Sequence, residues 1–418
     1  MKKVLMISQA FPPIGHVASK RAGCLAKYLR EYGWEPVVLA QQWMDRRTSN
    51  DVGDNCFYDP DFVVNLPADL TVVRVPVKDY AFGSPAWAVD LARRVFLPHH
   101  RPYPFWRNAR AVLPQILKEH EIKAVWATAP WACSHLLGAE AARRADCPWV
   151  ADFRDIIGQV YENLLTSAIN PIRLFHQNRY LKTASAIVAA THGAAERLEV
   201  WHGRPVHVMF NGFDPEDFSP DPAPPIDRFR ILYTGCLTSH GRPKFRPVLD
   251  ALQGLIEAGK MDASHVSLDF YGANNEQALA RMVEGHPASG LVTGHEAVGR
   301  AECVALQRSA AVLLQSAFPR SQGWVIPAKL FEYLSARRPV LAVPGDGGGV
   351  DNVLRETGAG VAAATVAELT TVLKAWYDEW RATGSVACRA DEKAVAKYSR
   401  KEHARRLARL LDECASMY

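Results

Sequence analysis

The stretch Gly323-Trp-Val-Ile-Pro-Ala-Lys-Leu-Phe-Glu332-Tyr-Leu-Ser-Ala-Arg-Arg-Pro339-Val-Leu-Ala-Val-Pro344 leaves a chain few ways to fold. Pro327 suits the first turn of a helix, where its missing N–H is no loss. Leu330, Phe331 and Leu334 recur at helical spacing and predict an inward face. Arg337 and Arg338 complement the negative end of the helix, and Pro339 stops it. Val340 to Val343 is an unbroken apolar run, as in a strand covered on both faces. Gly345-Asp-Gly-Gly-Gly349 and a short helix to Glu356 follow, ended by Gly358. Helix, buried strand, glycine loop and helix make one turn of a doubly wound α/β sheet.

The rest of the chain repeats that alternation twice over. Val4–Ser8, the loop to His16, a helix from Ala18 to Tyr32 and a strand from Pro36 to Ala40 form a βαβ start. It carries no GxGxxG. Strands at Ala124–Thr128, Pro148–Ala151, Ile187–Ala190 and Val206–Phe210 follow, with helices between them. One of those helices, Ala132 to Ala145, holds His135 near its start. Pro215 to Pro225 contains five prolines and reads as a linker. After it, strands at Arg230–Thr234, Ser267–Tyr271, Leu291–Thr293, Val312–Gln315, Val340–Val343 and Gly360–Ala363 build a second parallel sheet. The expected domains are 1–214, a linker 215–228, 229–392, and a final helix in 393–418 packing back on the first domain. Two such halves imply a cleft between them, the usual place for a ligand.

Composition sets the class. At 418 residues, 48% hydrophobic and 22% charged, the chain reads as an ordinary globular protein of two or three domains. A net charge of +5 suits an acidic ligand without requiring one. Eight cysteines without CxxC or zinc-like spacing suggest thiols in a reducing compartment. No window approaches the ~20 apolar residues of a spanning helix. The apolar start after Met1 is shorter than a signal peptide needs, so the expected location is cytoplasmic, at most peripheral to the membrane. Residues 81–110 interleave Trp87, Phe96, Tyr103, Phe105 and Trp106 with Arg93, Arg94, Arg101, Arg107 and Arg110. Such a segment suits a membrane surface or a polyanion; equally, its aromatics belong to a core and its arginines to solvent.

Five segments in order resemble glycosyltransferase family 4 and its relatives. Lys3-Val-Leu-Met-Ile-Ser-Gln-Ala-Phe-Pro-Pro-Ile-Gly15 looks like the family's first strand and glycine loop. Ala151-Asp-Phe-Arg-Asp155 resembles its acidic motif, and Phe210-Asn-Gly-Phe-Asp214 the end of its N-terminal domain. Leu232-Tyr-Thr-Gly235-Cys-Leu and Pro327 to Pro339 resemble the first turn and the nucleotide helix of its donor domain. The resemblance implies the α/β GT-B fold, two Rossmann-like parallel-sheet domains facing across a cleft. It implies a retaining transfer of a sugar from a nucleotide-diphosphate donor, UDP-sugar favoured over GDP-sugar. The acceptor would be a glycan, a lipid-linked molecule or a natural product, with no metal and no cofactor beyond the donor. No nucleic-acid partner is implied.

The same resemblance points to Gly15, His16, Gly235, Arg242, Lys244, Tyr271, Gly272, Lys329, Leu330 and Glu332 on the donor side. Asp155 and Arg154, at a strand's carboxyl end, are expected to face the acceptor side of the cleft by the open-sheet rule, and His135 from its helix, His135 reading equally well as a buried structural histidine. Arg242 and Lys244 after the Gly235 turn would hold the diphosphate, unless they are simply solvated loop residues. Glu332 would take the donor ribose; its alternative is an i,i+3 ion pair with Lys329. Two departures stand out. Trp324 occupies the place of the first glutamate in the family's Glu-x7-Glu motif, and His16 that of the second glycine in its first loop. Two further readings share the fold: a sugar-nucleotide epimerase, and an inactive sugar-nucleotide-binding partner protein.

Overall fold

A computed structural model describes residues 1–15, 17–42, 57–58, 66–76, 103–129, 132–156, 164–217, 227–237, 245–272, 275–317 and 323–418. Residues 81–102, His16, Arg242, Lys244 and most of the proline-rich stretch lie outside the described residues. The chain divides into two compact units, Met1–Asn211 with Arg400–Tyr418, and Gly212–Ser399. Residues 393–399 thus stay with the second unit, and the return to the first begins at Arg400.

The first unit is built on a seven-stranded parallel sheet. Its strands are β1 (Lys2–Ile7), β2 (Trp34–Gln41), β3 (Thr71–Val75), β4 (Ile122–Thr128), β5 (Trp149–Phe153), β6 (Ala186–Ala189) and β7 (His207–Val208), in the order β3-β2-β1-β4-β5-β6-β7. The order reverses between β1 and β4, so the carboxyl ends of those strands are where an open sheet receives ligands. One face is covered by α1 (Val17–Leu29) and the terminal helix, which inserts Leu407 and Leu411 beside Val4, Met6, Trp34 and Trp126. Each fully buried leucine contributes about 1.5–3 kcal/mol relative to exposure. The opposite face is covered by α2 (Tyr103–Glu119), α3 (Ala132–Ala145), α4 (Leu164–Leu181) and α5 (His192–His202). In α2, Phe105 is core, Trp106 lies under the Arg110 guanidinium, and Arg110 pairs with Glu140 at 2.9 Å. The described end of the basic–aromatic segment is therefore structural.

The second unit repeats the plan with six parallel strands: β8 (Phe229–Thr234), β9 (Val266–Tyr271), β10 (Val292–His295), β11 (Val312–Gln315), β12 (Val340–Ala342) and β13 (Gly360–Ala362). Their order is β10-β9-β8-β11-β12-β13, reversing between β8 and β11. The helices are α6 (Arg246–Glu257), α7 (Glu276–Val283), α8 (Arg300–Arg308), α9 (Ala328–Ser335), α10 (Gly349–Thr357), α11 (Val366–Thr383) and α12 (Glu392–Ala396). The terminal helix of the first unit is α13 (Arg400–Ser416). Pro327 proves to be the N-cap of α9, and Leu330, Phe331 and Leu334 are its buried face, as their spacing predicts. Among the described residues no disulfide forms and no helix is long and apolar enough to cross a membrane.

Candidate functional site

In the second unit the polar groups gather where β8 and β9 end. Gly235 follows β8 with φ of +124°, a conformation that disfavours a side chain. A Cβ there would also run into the end of the Lys329 side chain, and a Cβ on Gly272 would strike the Gly235 carbonyl. The two glycines therefore let the ends of β8 and β9 touch through their backbones and leave room for Lys329. Asn275, almost fully buried, pins the turn. Its amide donates to Gly235 O at 3.0 Å, and its carbonyl accepts from Leu237 N–H at 2.6 Å. Gly235 N–H donates to Tyr271 O at 2.6 Å. The backbone donors of Gly235 and Leu237 are thus engaged, and the Lys329 ammonium stands beside the turn as an attraction for an anion. That ammonium lies over the Tyr233 ring, 3.9 Å from its centre, and forms no ion pair among the described residues.

One turn on, Glu332 does not pair with Lys329. Its carboxylate is held by Arg300 of α8, Nη1 to Oε1 at 3.0 Å, while Arg300 Nη2 binds Asp217. Burial pulls the Arg300 guanidinium toward neutrality, but Glu332 and then Asp217 outweigh it and hold its pKa above the ordinary value. Glu332 thus sits half-buried in a fixed orientation. Tyr333 braces the same helix against β8: its hydroxyl accepts from Thr234 N–H at 3.0 Å and lies 3.2 Å from Thr234 Oγ1. Leu330 faces the core with no exposure, and its N–H is bonded to Pro327 O at 3.1 Å, which withdraws it from any ligand.

Tyr271 ends β9 with its ring stacked on His295, centres 4.1 Å apart and planes 10° from parallel. His295 Nε2 meets Asp269 Oδ1 at 3.1 Å, which fixes the pair. A flat, ordered aromatic surface at the carboxyl end of the sheet suits a heterocyclic base. The glycine loop 345–349 is a different matter. Asp346 accepts from the N–H groups of Gly348 and Val350 at 2.9 and 3.1 Å, and Asp351 from those of Asp346 and Gly347 at 3.1 and 2.8 Å. The start of α10 is capped by the chain's own carboxylates.

In the first unit the feature that spacing did not single out is a buried ion pair. Arg21 of α1 grips Asp152 at the end of β5 with two bonds, 3.0 and 2.6 Å, both side chains fully buried. Thr128 donates to the same carboxylate at 2.7 Å, and Arg21 Nη1 donates to Met209 O and Phe210 O at 3.0 and 2.8 Å. An aspartate inside an apolar strand was the available signal, since such a group is rarely buried unless paired. Of the acceptor-side candidates, Asp155 is half-exposed just beyond β5, with Arg154 Nη2 3.7 Å away. His135 is fully buried: its Nε2 donates to Asp152 O at 3.0 Å, with Phe153, Tyr180 and Trp149 around the ring. Burial pushes its pKa down to about 4. With no exposed surface and that lowered pKa, it packs as a neutral residue. Gly15 pairs in a two-residue antiparallel ribbon with Phe57. A surface depression of about 730 Å³ lined by Lys2, Lys3, Gly33 and Lys123 lies at the amino end of β1, the wrong end for a ligand by the open-sheet rule. Among the described residues no cluster of His, Cys, Asp and Glu is arranged to hold a metal ion.

Two doubly wound parallel sheets with these strand orders define the GT-B architecture, and solved structures bear the likeness over the whole chain. Anabaena HepE in complex with UDP-glucose matches at 15% identity and a TM-score of 0.62, covering 99% of this chain and 100% of that one. Sucrose-phosphate synthase from Thermosynechococcus elongatus matches at 13% identity and 0.61, covering 100% of each. S. aureus MnaA in its UDP co-structure matches at 13% and 0.54, covering 100% of this chain and 98% of that one. The chain therefore has the GT-B fold of these structures. Residues 18–212 match the family model of the glycosyl transferase 4-like domain. No curated protein matches the sequence significantly.

Proposed function

We propose that the chain is a retaining, metal-independent glycosyltransferase that takes its sugar from a nucleotide-diphosphate donor, a UDP-sugar in the first instance. The observation that carries this reading is Lys329. An ammonium with no carboxylate partner among the described residues stands against the Gly235 turn at the switch point of the second sheet, one helical turn from a carboxylate fixed by Arg300. Lys329 meets the departing diphosphate, with Arg242 and Lys244 as further cations. Glu332 accepts hydrogen bonds from the ribose hydroxyls, and the Tyr271–His295 stack faces the base. Charge stabilisation of the leaving group is the main demand of front-face transfer, in which a phosphate oxygen takes the acceptor's proton. UDP in HepE and MnaA supports uridine as the first nucleotide to try. The acceptor is a glycan, a lipid-linked molecule or a natural product.

Trp324, in place of the family's first glutamate, keeps the inactive sugar-nucleotide-binding reading in play. Donor-dependent release of nucleoside diphosphate separates it from transfer. The first measurement is thermal unfolding with UDP, GDP, TDP, CDP and ADP, without magnesium. A nucleotide at 100 times its Kd stabilises the chain by about 2.7 kcal/mol. UDP is expected to shift wild type and to lose its effect in Glu332→Ala. A chain that no nucleotide shifts has no donor site at this cluster.

A further inference from the structure

Three guanidinium groups converge below the carboxyl ends of the first unit's strands, and one fully buried carboxylate answers them. Arg21 and Arg400 are 0% and 1% exposed, and the Arg154 side chain 7%. Asp152 is the only fully buried carboxylate among the described residues of this unit, and Arg21 already takes both its oxygens. Arg400 receives almost nothing. Its Nη2 reaches Asn211 Oδ1 at 3.3 Å, and its Nε and Nη1 are buried with no hydrogen-bond partner among the described residues. Burial first, and then the nearby charge of Arg21, lower its pKa to about 9, so it stays charged at neutral pH. A buried cation with vacant donors and cations for neighbours is a costly arrangement unless a counter-charge completes it. Arg400 also opens α13, whose positive end favours the same sign of ligand.

We propose that Arg400, with Asn211 beside it, forms a second anion site in this unit, which takes a small oxyanion of the phosphate or carboxylate class. The site is separate from the donor cluster around Lys329, which belongs to the other unit. Its chemistry fits an ion retained as part of the fold and equally a phosphate or carboxylate group carried by a substrate.

The test is thermal unfolding of the full chain in inorganic phosphate against sodium chloride at equal ionic strength, in wild type, Arg400→Met, Arg400→Lys and Lys329→Ala. Wild type is expected to show a saturable rise in Tm specific to phosphate. The rise persists in Lys329→Ala, is lost in Arg400→Met, and needs about tenfold more phosphate in Arg400→Lys, which keeps the charge without the planar donors. Arg400→Lys carries the test if Arg400→Met does not fold. Acid release and assay of phosphate from the purified protein then separates the sources. One phosphate per chain means a retained ion, and none, with the Tm rise intact, means an exchangeable site of the kind a substrate group fills. No phosphate-specific rise in a wild type that also releases no phosphate on acid treatment, or an equal rise in both Arg400 variants, overturns the site. A rise lost in Lys329→Ala alone also overturns it and leaves the donor reading standing.

Discussion

Asp152 and Lys329 sit at comparable places, each where a sheet's strands or its following helix reach the carboxyl edge, and their surroundings are opposite. Asp152 has every oxygen engaged by Arg21 and Thr128 inside a fully buried network. Lys329 has an aromatic face beneath it and no counter-ion among the described residues. The same contrast recurs within the second unit. The 345–349 loop fills its own N–H groups with Asp346 and Asp351, while the Gly235 turn leaves a cation standing. Satisfied charge builds the fold, and charge left unsatisfied marks where something else is meant to bind. Glycine content does not separate the two.

The largest effect expected on this view is at Asp152. Its replacement by Ala leaves Arg21 buried with two backbone carbonyls and no counter-charge, so unfolding free energy should fall by about 3–5 kcal/mol in denaturant titration. Removing both partners, Arg21→Met with Asp152→Leu, should recover most of that loss. A single mutant within about 1 kcal/mol of wild type would show that the network is not structural.

His135 gives the next effect and ties stability to pH. Its folded pKa, about 4, lies below the ordinary 6.5, so the unfolded chain binds the proton more readily. The contribution is fully present above pH 6.5 and is lost as pH falls through the window from 6.5 to 4. Across it the chain should lose about 2–3 kcal/mol from this residue. His135→Gln, which keeps a donor for Asp152 O, should flatten that slope in Tm measurements at pH 4.5 to 7. A slope unchanged in the variant would place the titration elsewhere, His202, also lowered to about 4 by burial, being the first candidate.

Lys329→Met should do the reverse of Asp152→Ala. Nucleoside diphosphate binding should weaken tenfold or more, about 1.4 kcal/mol or above, with stability unchanged. If stability falls and affinity holds, Lys329 is a packing residue on Tyr233 and the contrast between the two regions collapses.

Much of this was legible beforehand. Period and punctuation placed both sheets, the Pro327–Ser335 helix and its inward face, because those signals are local. The partner of Glu332 was not legible. Lys329 is its neighbour in sequence, but Arg300 reaches it from a helix about thirty residues earlier, a pairing fixed by how α8 and α9 pack. Arg21 and Asp152 escaped for the same reason, being separated by 131 positions. His135 illustrates the converse. A histidine at a helix start reads equally as chemistry or as core, and its burial among Phe153, Tyr180 and Trp149 favours the core.

The smallest effect tests the contrast at its finest grain. Asp346→Ala removes the acceptor from Gly348, Val350 and Asp351 N–H groups and uncaps α10. Loss of such a cap costs about 1 kcal/mol. Because the proposed donor site gathers around Lys329 and not at this loop, its loss should leave nucleotide affinity as it was. Isothermal titration with UDP beside a denaturant curve reads both quantities on one preparation. A variant that keeps its stability and loses UDP would turn the 345–349 loop from a self-capped turn into part of the donor site. The rule that satisfied donors build and unsatisfied charges bind would then fail where it was drawn most closely.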